Sequence, residues 1–248
     1  YTPNMGYQGP DAFTWEASDG SLASNTADVK LTVGTPVMVQ NYPLDTDPGW
    51  AREGGWQFGQ PGGQGGDPTI GFTGLSVFGY NLAGAYPDNL SPQYLTMAPL
   101  NCTGLYGVTL KFARWLGVEN AAYDKATIQV STDAINWTTI FTNPTSDLIE
   151  TSWSQQSYNI GEIADNKPFV LIRWGMGPTD TNTTGAGWNI DDVSIWAIGT
   201  PYGNMPPFAN NISATTAIQT PVTLTLNATD ANMDPLSYSI VSLPSGGT

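Results

Sequence analysis

The 248-residue chain contains no histidine and only one cysteine, Cys102. The absence of histidine removes the commonest general base, the commonest transition-metal ligand and every Ser-His or Cys-His pair. A lone cysteine cannot form a disulfide within the chain, and we interpret Cys102 as a small buried apolar residue. A hydrolase using paired carboxylates is the one enzyme class left open, and no spacing of Asp and Glu supports it. We therefore predict that the protein is not an enzyme and has no catalytic residues.

Basic residues are also scarce, since 7 Lys and Arg stand against 21 Asp and Glu and give a net charge of −14. Such a chain repels phosphate backbones and anionic membranes, so nucleic acid is a poor partner, whereas divalent cations and neutral glycans suit it better. No stretch reaches the length of a membrane span and none resembles a signal peptide, so we predict no membrane insertion. The chain opens on Tyr1 without an initiator Met, and we expect a processed product or a section of a longer protein.

Long amphipathic helices are the third absence. No window of ten or more residues shows apolar spacing at i, i+3, i+4 and i+7, and 28 Gly and 19 Pro interrupt the short apolar runs. With 40% hydrophobic and 11% aromatic residues, the chain can still bury a core. We predict an all-β protein in which about eight strands of residues 35–200 form a two-sheet jelly roll.

The segment 187–196 is the most informative stretch of this jelly roll. Trp188 and Ile190 alternate, Val193 and Ile195 alternate, and the two pairs are out of phase by one residue. Because side chains in a strand repeat every second residue, the phase change predicts a bulge at Asp191-Asp192. Either both acids face solvent, or the bulge turns one carboxylate inward to hold a cation, since a buried carboxylate must be paired or metal-bound.

The two ends of the chain carry strand patterns that are too short to bury a core. Residues 1–34 read as two strands joined by a turn at Ser18-Asp19-Gly20, and an isolated hairpin is marginal in water. Near the other end, alternation of apolar residues with Thr predicts a strand over residues 220–226.

These end segments resemble the two halves of one bacterial cadherin-like repeat, an Ig-like sandwich module of giant secreted adhesins. The motif Asp11-Ala12-Phe13-Thr14-Trp15 and the residues to Val33 are similar to its C-terminal half; Asn204-Met205-Pro206-Pro207 and the Asp-rich segment 230–234 are similar to its linker and N-terminal half. The resemblance implies incomplete sheets that flanking repeats or strands of a neighbouring copy must complete, which gives a head-to-tail fibre. The alternative is a chain boundary placed without regard to domains.

The central segment resembles bacterial jelly-roll modules akin to MAM and cleaved-adhesin domains. The motifs that carry the resemblance are Glu53-Gly54-Gly55-Trp56, Arg114-Trp115-Leu116-Gly117, Ile172-Arg173-Trp174-Gly175 and Gly187-Trp188-Asn189-Ile190-Asp191-Asp192-Val193. The predicted fold class is therefore a central jelly-roll β-sandwich (35–200) flanked by two partial Ig-like or cadherin-like halves (1–34 and 201–248).

The same resemblances imply structural calcium. In the jelly roll, an early acidic segment and the acidic bulge would hold it, with Asp45, Asp47, Asp191 and Asp192 as candidates and Glu119 and Asp124 as further options. Near the C-terminus, Asp230, Asn232 and Asp234 place oxygen side chains at alternate positions, the spacing of a calcium loop. That loop lacks the Gly and the downstream Glu of an EF-hand, and a plain turn is its alternative interpretation.

Nine Trp and eleven Tyr invite a glycan-binding interpretation, although most such rings pack in cores. Four of them in loop-rich regions are the candidates for an exposed platform: Trp50, Trp56, Tyr80 and Tyr86.

The function predicted first is a non-enzymatic structural or adhesive segment of a secreted bacterial surface protein. Its partners would be neighbouring copies of itself, in a tandem or strand-complemented fibre stabilised by calcium outside the cell. The alternative is a carbohydrate-binding or substrate-docking module of a secreted hydrolase.

Overall fold

The computed structural model describes residues 1–199, 208–209, 212–226, 228–229, 236–242 and 244. The chain divides into two compact units, Tyr1–Pro201 and Tyr202–Thr248. The first unit holds residues 1–34 together with the predicted jelly roll, and the predicted linker around residues 204–207 lies outside the described residues. In the described part of the chain, no helix has the length and apolar character needed to cross a membrane.

Strands dominate the structure, as the short alternating apolar runs predict. The strands are β1 (Gly9–Trp15), β2 (Ala27–Val33), β3 (Val37–Tyr42), β4 (Ala51–Arg52), β5 (Trp56–Gly59), β6 (Val77–Tyr80), β7 (Gln93–Thr96), β8 (Leu105–Val118), β9 (Ala126–Ser131), β10 (Thr138–Thr142), β11 (Leu148–Ile149), β12 (Ser154–Asn159), β13 (Leu171–Met176), β14 (Gly187–Gly199), β15 (Phe208–Ala209) and β16 (Ala228–Thr229); a single helical turn, α1, covers Gly161–Ala164.

Two antiparallel sheets form the body of the first unit. One has five strands in the order β10-β9-β13-β7-β4; the other has seven, with β11-β8-β14-β6-β5 in line, β12 also on β8 and β3 also on β14. The long strands β8 and β14 pair along most of their length and form the centre of the larger sheet. The all-β sandwich predicted from the sequence is confirmed.

Aromatic side chains fill the space between the two sheets. On β13, Ile172 and Trp174 point inward and are 0% exposed, while Arg173 between them points outward. The Trp50 ring stacks on Phe78 and on Trp174 at centroid distances of 5.1 and 5.8 Å. Cys102 is buried as predicted, and burial raises the pKa of its thiol to about 11, which disfavours the reactive thiolate at neutral pH.

A long loop between β5 and β6 lies against the outer side of the larger sheet. Within it the Gly63 amide donates to the Pro68 carbonyl, and the Trp115 indole on β8 donates to the Gly66 carbonyl at 2.9 Å. The segment 220–226 of the second unit is not in a strand, so the strand predicted there is wrong for the isolated chain. Its alternating pattern is present, but no described strand pairs with it, and pairing is what makes an extended segment a strand.

Candidate functional site

The acidic bulge predicted from the phase change is present in β14. The pairing of β14 with β8 shifts register between Asp191 and Ser194, and Asp192 adopts a left-handed φ of 47°. Asp191 is 0% exposed and Asp192 is partly buried, so the two acids do not both face solvent. Asp191 is buried beneath a loop on the outer side of the larger sheet, and its binding of a cation stays a prediction.

The Asp191 carboxylate is enclosed by the loop between β5 and β6. It accepts hydrogen bonds from the Thr73 amide at 3.1 Å and the Asp192 amide at 2.8 Å, while the Thr73 hydroxyl donates to Asp192 at 2.8 Å. Burial raises the pKa of Asp191 to about 6 despite these donors. Burial is therefore the dominant influence on this carboxyl group, and the amide donors offset it only in part.

Oxygen atoms converge beside this carboxylate, around the backbone of Gly71. A methyl group added there would lie 2.3 Å from the Thr73 carbonyl oxygen, 2.7 Å from Asp191 Oδ2 and 3.3 Å from the Ser76 carbonyl oxygen. At Gly74, three residues along the same loop, an added methyl group would meet Asp45 Oδ1 at 2.3 Å. Carboxylate and carbonyl oxygens are the ligands that calcium prefers, so this donor set fits the predicted ion.

The structure does not bring all the predicted calcium ligands of the jelly roll together. Asp45, Asp191 and Asp192 border the same loop, whereas Asp47 pairs with Arg52 at 2.9 Å and caps its own turn by accepting from the Gly49 amide. The structure therefore gives Asp47 ordinary turn chemistry. Three further predicted ligands, Asp230, Asn232 and Asp234, lie outside the described residues.

Glu119 and Asp124 belong to a second acidic group, which Asp180 completes. One carboxylate oxygen from each residue lies within 4.8 Å of the others. Asp124 is 0% exposed and accepts hydrogen bonds from the Tyr86 hydroxyl at 2.6 Å and the Asp180 amide at 2.9 Å. Desolvation, followed by the charges of Asp180, Asp124 and Asp147, raises the pKa of Glu119. Sequence analysis missed Asp180, which lies in an irregular segment after β13 and carries no periodic signal.

A buried acid–amide pair fixes the loop between β5 and β6 to strand β14. Asp67 is 6% and Asn189 is 0% exposed, and the Asn189 amide nitrogen donates to Asp67 Oδ1 at 2.7 Å. Among the described residues, neither Asp67 Oδ2 nor Asn189 Oδ1 has a hydrogen-bond partner. Burial raises the pKa of Asp67 to about 6.

We expect this pair to make stability depend on pH. The pKa of Asp67 in the folded state is about 6 against an ordinary value of 3.8, so the folded state binds the proton more tightly. The contribution of protonated Asp67 to the free energy of unfolding is therefore complete below the pKa of Asp67 in the unfolded chain. It is lost as the pH rises through the pKa of Asp67 in the folded protein. The variant Asp67→Asn places an amide that can both donate to and accept from Asn189, and should flatten the dependence of melting temperature on pH. The exposed variant Asp88→Asn is the control; an equal pH dependence in Asp67→Asn and the wild type would contradict this prediction.

The aromatic residues predicted as a glycan platform are all in the core. Their exposed fractions are 2% for Trp50, 4% for Trp56, and 1% for both Tyr80 and Tyr86. The prediction is wrong because loop-rich sequence around an aromatic residue does not reveal whether the loop folds inward. Tyr86 instead binds the buried Asp124, and Trp50 stacks inside the sandwich.

A different aromatic group faces outward on the five-stranded sheet. The guanidinium carbon of Arg173 lies 3.6 Å from the Tyr94 ring centroid and 3.7 Å from the Trp137 ring centroid. Arg173 Nε also donates to Gln129 on the neighbouring strand at 2.8 Å. The three side chains are half-buried, so their edges reach solvent.

No protein-family model matches the chain, and a search of curated proteins finds no match. Among solved structures, a cleaved adhesin domain of Lys-gingipain from Porphyromonas gingivalis is 14% identical, with 65% of this chain and 98% of that chain covered and a TM-score of 0.40. A CBM22 xylan-binding domain from Paenibacillus barcinonensis is 11% identical, with 68% and 99% covered and a TM-score of 0.41. These similarities are similarities of fold, and they do not indicate a ligand or an activity for this chain.

Proposed function

We propose that the protein is a non-enzymatic structural segment of an extracellular bacterial surface protein, and that it assembles head to tail through its two end regions. The observation that carries the proposal is that aromatic side chains are buried in the sandwich and exposed in the hairpin. The sandwich buries its aromatic core, whereas the β1–β2 hairpin leaves Phe13 47% and Trp15 52% exposed.

The second unit supports the same proposal, because its apolar residues remain open to solvent. Val241 is 96% and Ile218 is 94% exposed, and Ile240 and Tyr238 are also more than half exposed. A unit that leaves large apolar side chains in water buries them on a partner or aggregates. Two open apolar regions on different parts of one chain allow a heterologous contact, which propagates into a filament unless it closes into a ring.

Calcium enters this proposal as a structural ion held between β14 and the loop that covers it. Asp191 and the carbonyl oxygens of Thr73 and Ser76 would hold it. Its chemistry there is neutralisation of a buried carboxylate.

Electron microscopy and light scattering of the purified chain test the assembly. We expect oligomers that grow with concentration, and filaments at high concentration. The net charge of −14 opposes association, so added salt should promote it by screening. A chain that stays monomeric at every concentration and salt level would refute the proposal.

The alternative function, glycan binding, is favoured by the Tyr94–Arg173–Trp137 group. Ring faces and edges at a surface stack on sugar rings, and Arg173 and Gln129 supply polar groups for hydroxyls. We expect Trp137→Ala to weaken polysaccharide binding at least about tenfold, which corresponds to 1.4 kcal/mol. Tyr123→Ala removes another exposed ring of the same unit and is the matched control. Absence of binding by the wild type across a polysaccharide panel would exclude this function.

A further inference from the structure

The β1–β2 hairpin has one polar face and one mainly apolar face, whose one charged residue, Asp11, accepts a hydrogen bond from the Tyr1 hydroxyl. Its register pairs Phe13 with Val29 and Trp15 with Ala27, so these four side chains share a face. Ala12 and Thr14 lie on the other face, opposite Lys30 and Asp28. The two strands form a sheet of their own, and no other described strand pairs with either edge. The hairpin therefore offers an open apolar face and two unpaired edges.

The segment 221–226 of the second unit likewise has exposed apolar side chains and an unpaired backbone. Val222, Leu224 and Leu226 are 48%, 51% and 46% exposed and alternate with Thr223 and Thr225. Its backbone makes no hydrogen bond to any other described part of the chain. A Val-Thr-Leu-Thr-Leu sequence has strong β propensity, so the segment lacks only a partner to become a strand.

We infer that segment 221–226 of one copy is the donor strand that completes the β1–β2 hairpin of the next copy. Paired at an open edge, the donor would place Val222, Leu224 and Leu226 beside Phe13, Trp15 and Val29, on one apolar face of a three-stranded sheet. This inference rests on the proposed head-to-tail assembly and names the surfaces that make it.

Length and charge agree with this pairing. At about 3.3 Å per residue, six residues span about 20 Å and match the seven-residue strands of the hairpin. The donor segment carries no charged residue, so it adds no repulsion to a chain with a net charge of −14. Alternate apolar side chains supply the specificity, and backbone hydrogen bonds at the open edge add affinity, as in other cases of strand addition.

Complementation between two blocked variants tests the inference. Phe13→Asp with Trp15→Asp blocks the acceptor, and Val222→Asp with Leu224→Asp blocks the donor. Each pair of substitutions should raise the dissociation constant at least about 100-fold, because it buries unpaired charge in the contact. Each blocked variant alone should be a monomer by light scattering. Mixed in equal amounts, they should form a dimer and stop there, because the mixture has one intact donor and one intact acceptor.

The matched controls place negative charge on the opposite faces. Ala12→Asp lies on the polar face opposite Lys30, and Thr223→Asp with Thr225→Asp alters the other side of the donor. Both controls should associate like the wild type. Recovery of the dimer in the mixture also shows that the blocked variants are folded.

The outcomes separate the two levels of the proposal. If the wild type associates and the donor-blocked variant associates equally well, the assignment of segment 221–226 is wrong while head-to-tail assembly stands. If the wild type is a monomer throughout, both are wrong. A mixture that remains monomeric while the wild type associates would also overturn the assignment, because the contact would then not be donor to acceptor.

Discussion

Removal of calcium by EDTA is expected to lower the melting temperature by about 10 °C. An ion present at 100 to 1,000 times its dissociation constant stabilises the folded state by about 3–4 kcal/mol, and for a chain of this size each kcal/mol corresponds to about 2–4 °C. The cause is local. Asp191 is 0% exposed and has only amide donors for its charge, so an ion beside it removes a large desolvation penalty.

The variants Asp191→Asn and Gly71→Ala should abolish the difference between calcium and EDTA. The first removes the charge, and the second places a methyl group 2.3 Å from the Thr73 carbonyl oxygen and 2.7 Å from Asp191 Oδ2, which forces these proposed ligands to move. In EDTA, Asp191→Asn should melt no lower than the wild type, since it no longer buries a charge. Glu119→Gln is the companion variant for the second acidic group. An EDTA effect that survives Asp191→Asn and disappears in Glu119→Gln would move the ion there, and an unchanged wild-type melting curve in EDTA would end the calcium hypothesis.

The substitution Trp174→Ala is expected to destabilise the fold by about 3–5 kcal/mol. The Trp174 side chain is 0% exposed, stacks on Trp50 and meets Phe112 edge-on at 5.5 Å, so its removal leaves a cavity shared by both sheets. Urea unfolding followed by circular dichroism measures the loss. Trp15→Ala removes the same side chain where it is 52% exposed and should lose less than about 1 kcal/mol. Equal losses in the two variants would mean that the stacked rings do not form the core.

Side-chain alternation was enough to predict the bulge but not the site around it. The phase change between Trp188 and Val193 reports which face each residue occupies, and the structure has the register shift there. The Thr73 and Ser76 contributions are backbone oxygens, which any residue supplies. Asp180 reaches Asp124 across 56 residues of chain, a distance over which local pattern carries no information.

The two wrong predictions have related causes. Trp50 and its neighbours lie in irregular sequence, and the sequence does not show that this part of the chain folds into the core. Residues 220–226 carry a strand pattern, but a strand also needs a partner. In each case the missing information was the position of another segment, and a single sequence contains no direct record of that.

The pairing of β3 with β14 has a mechanical consequence for any assembly that carries tension. Val37 at the start of β3 pairs with Ala197 near the end of β14, so the chain enters and leaves the sandwich at one corner. Force applied through both connections pulls these strands apart one hydrogen-bonded pair at a time, in unzipping rather than shear. The opening would advance from Val37 to the Tyr42–Val193 pair, and then reach the Asp191-Asp192 bulge. The proposed calcium ion at that bulge would have to release Asp191 before the opening could continue.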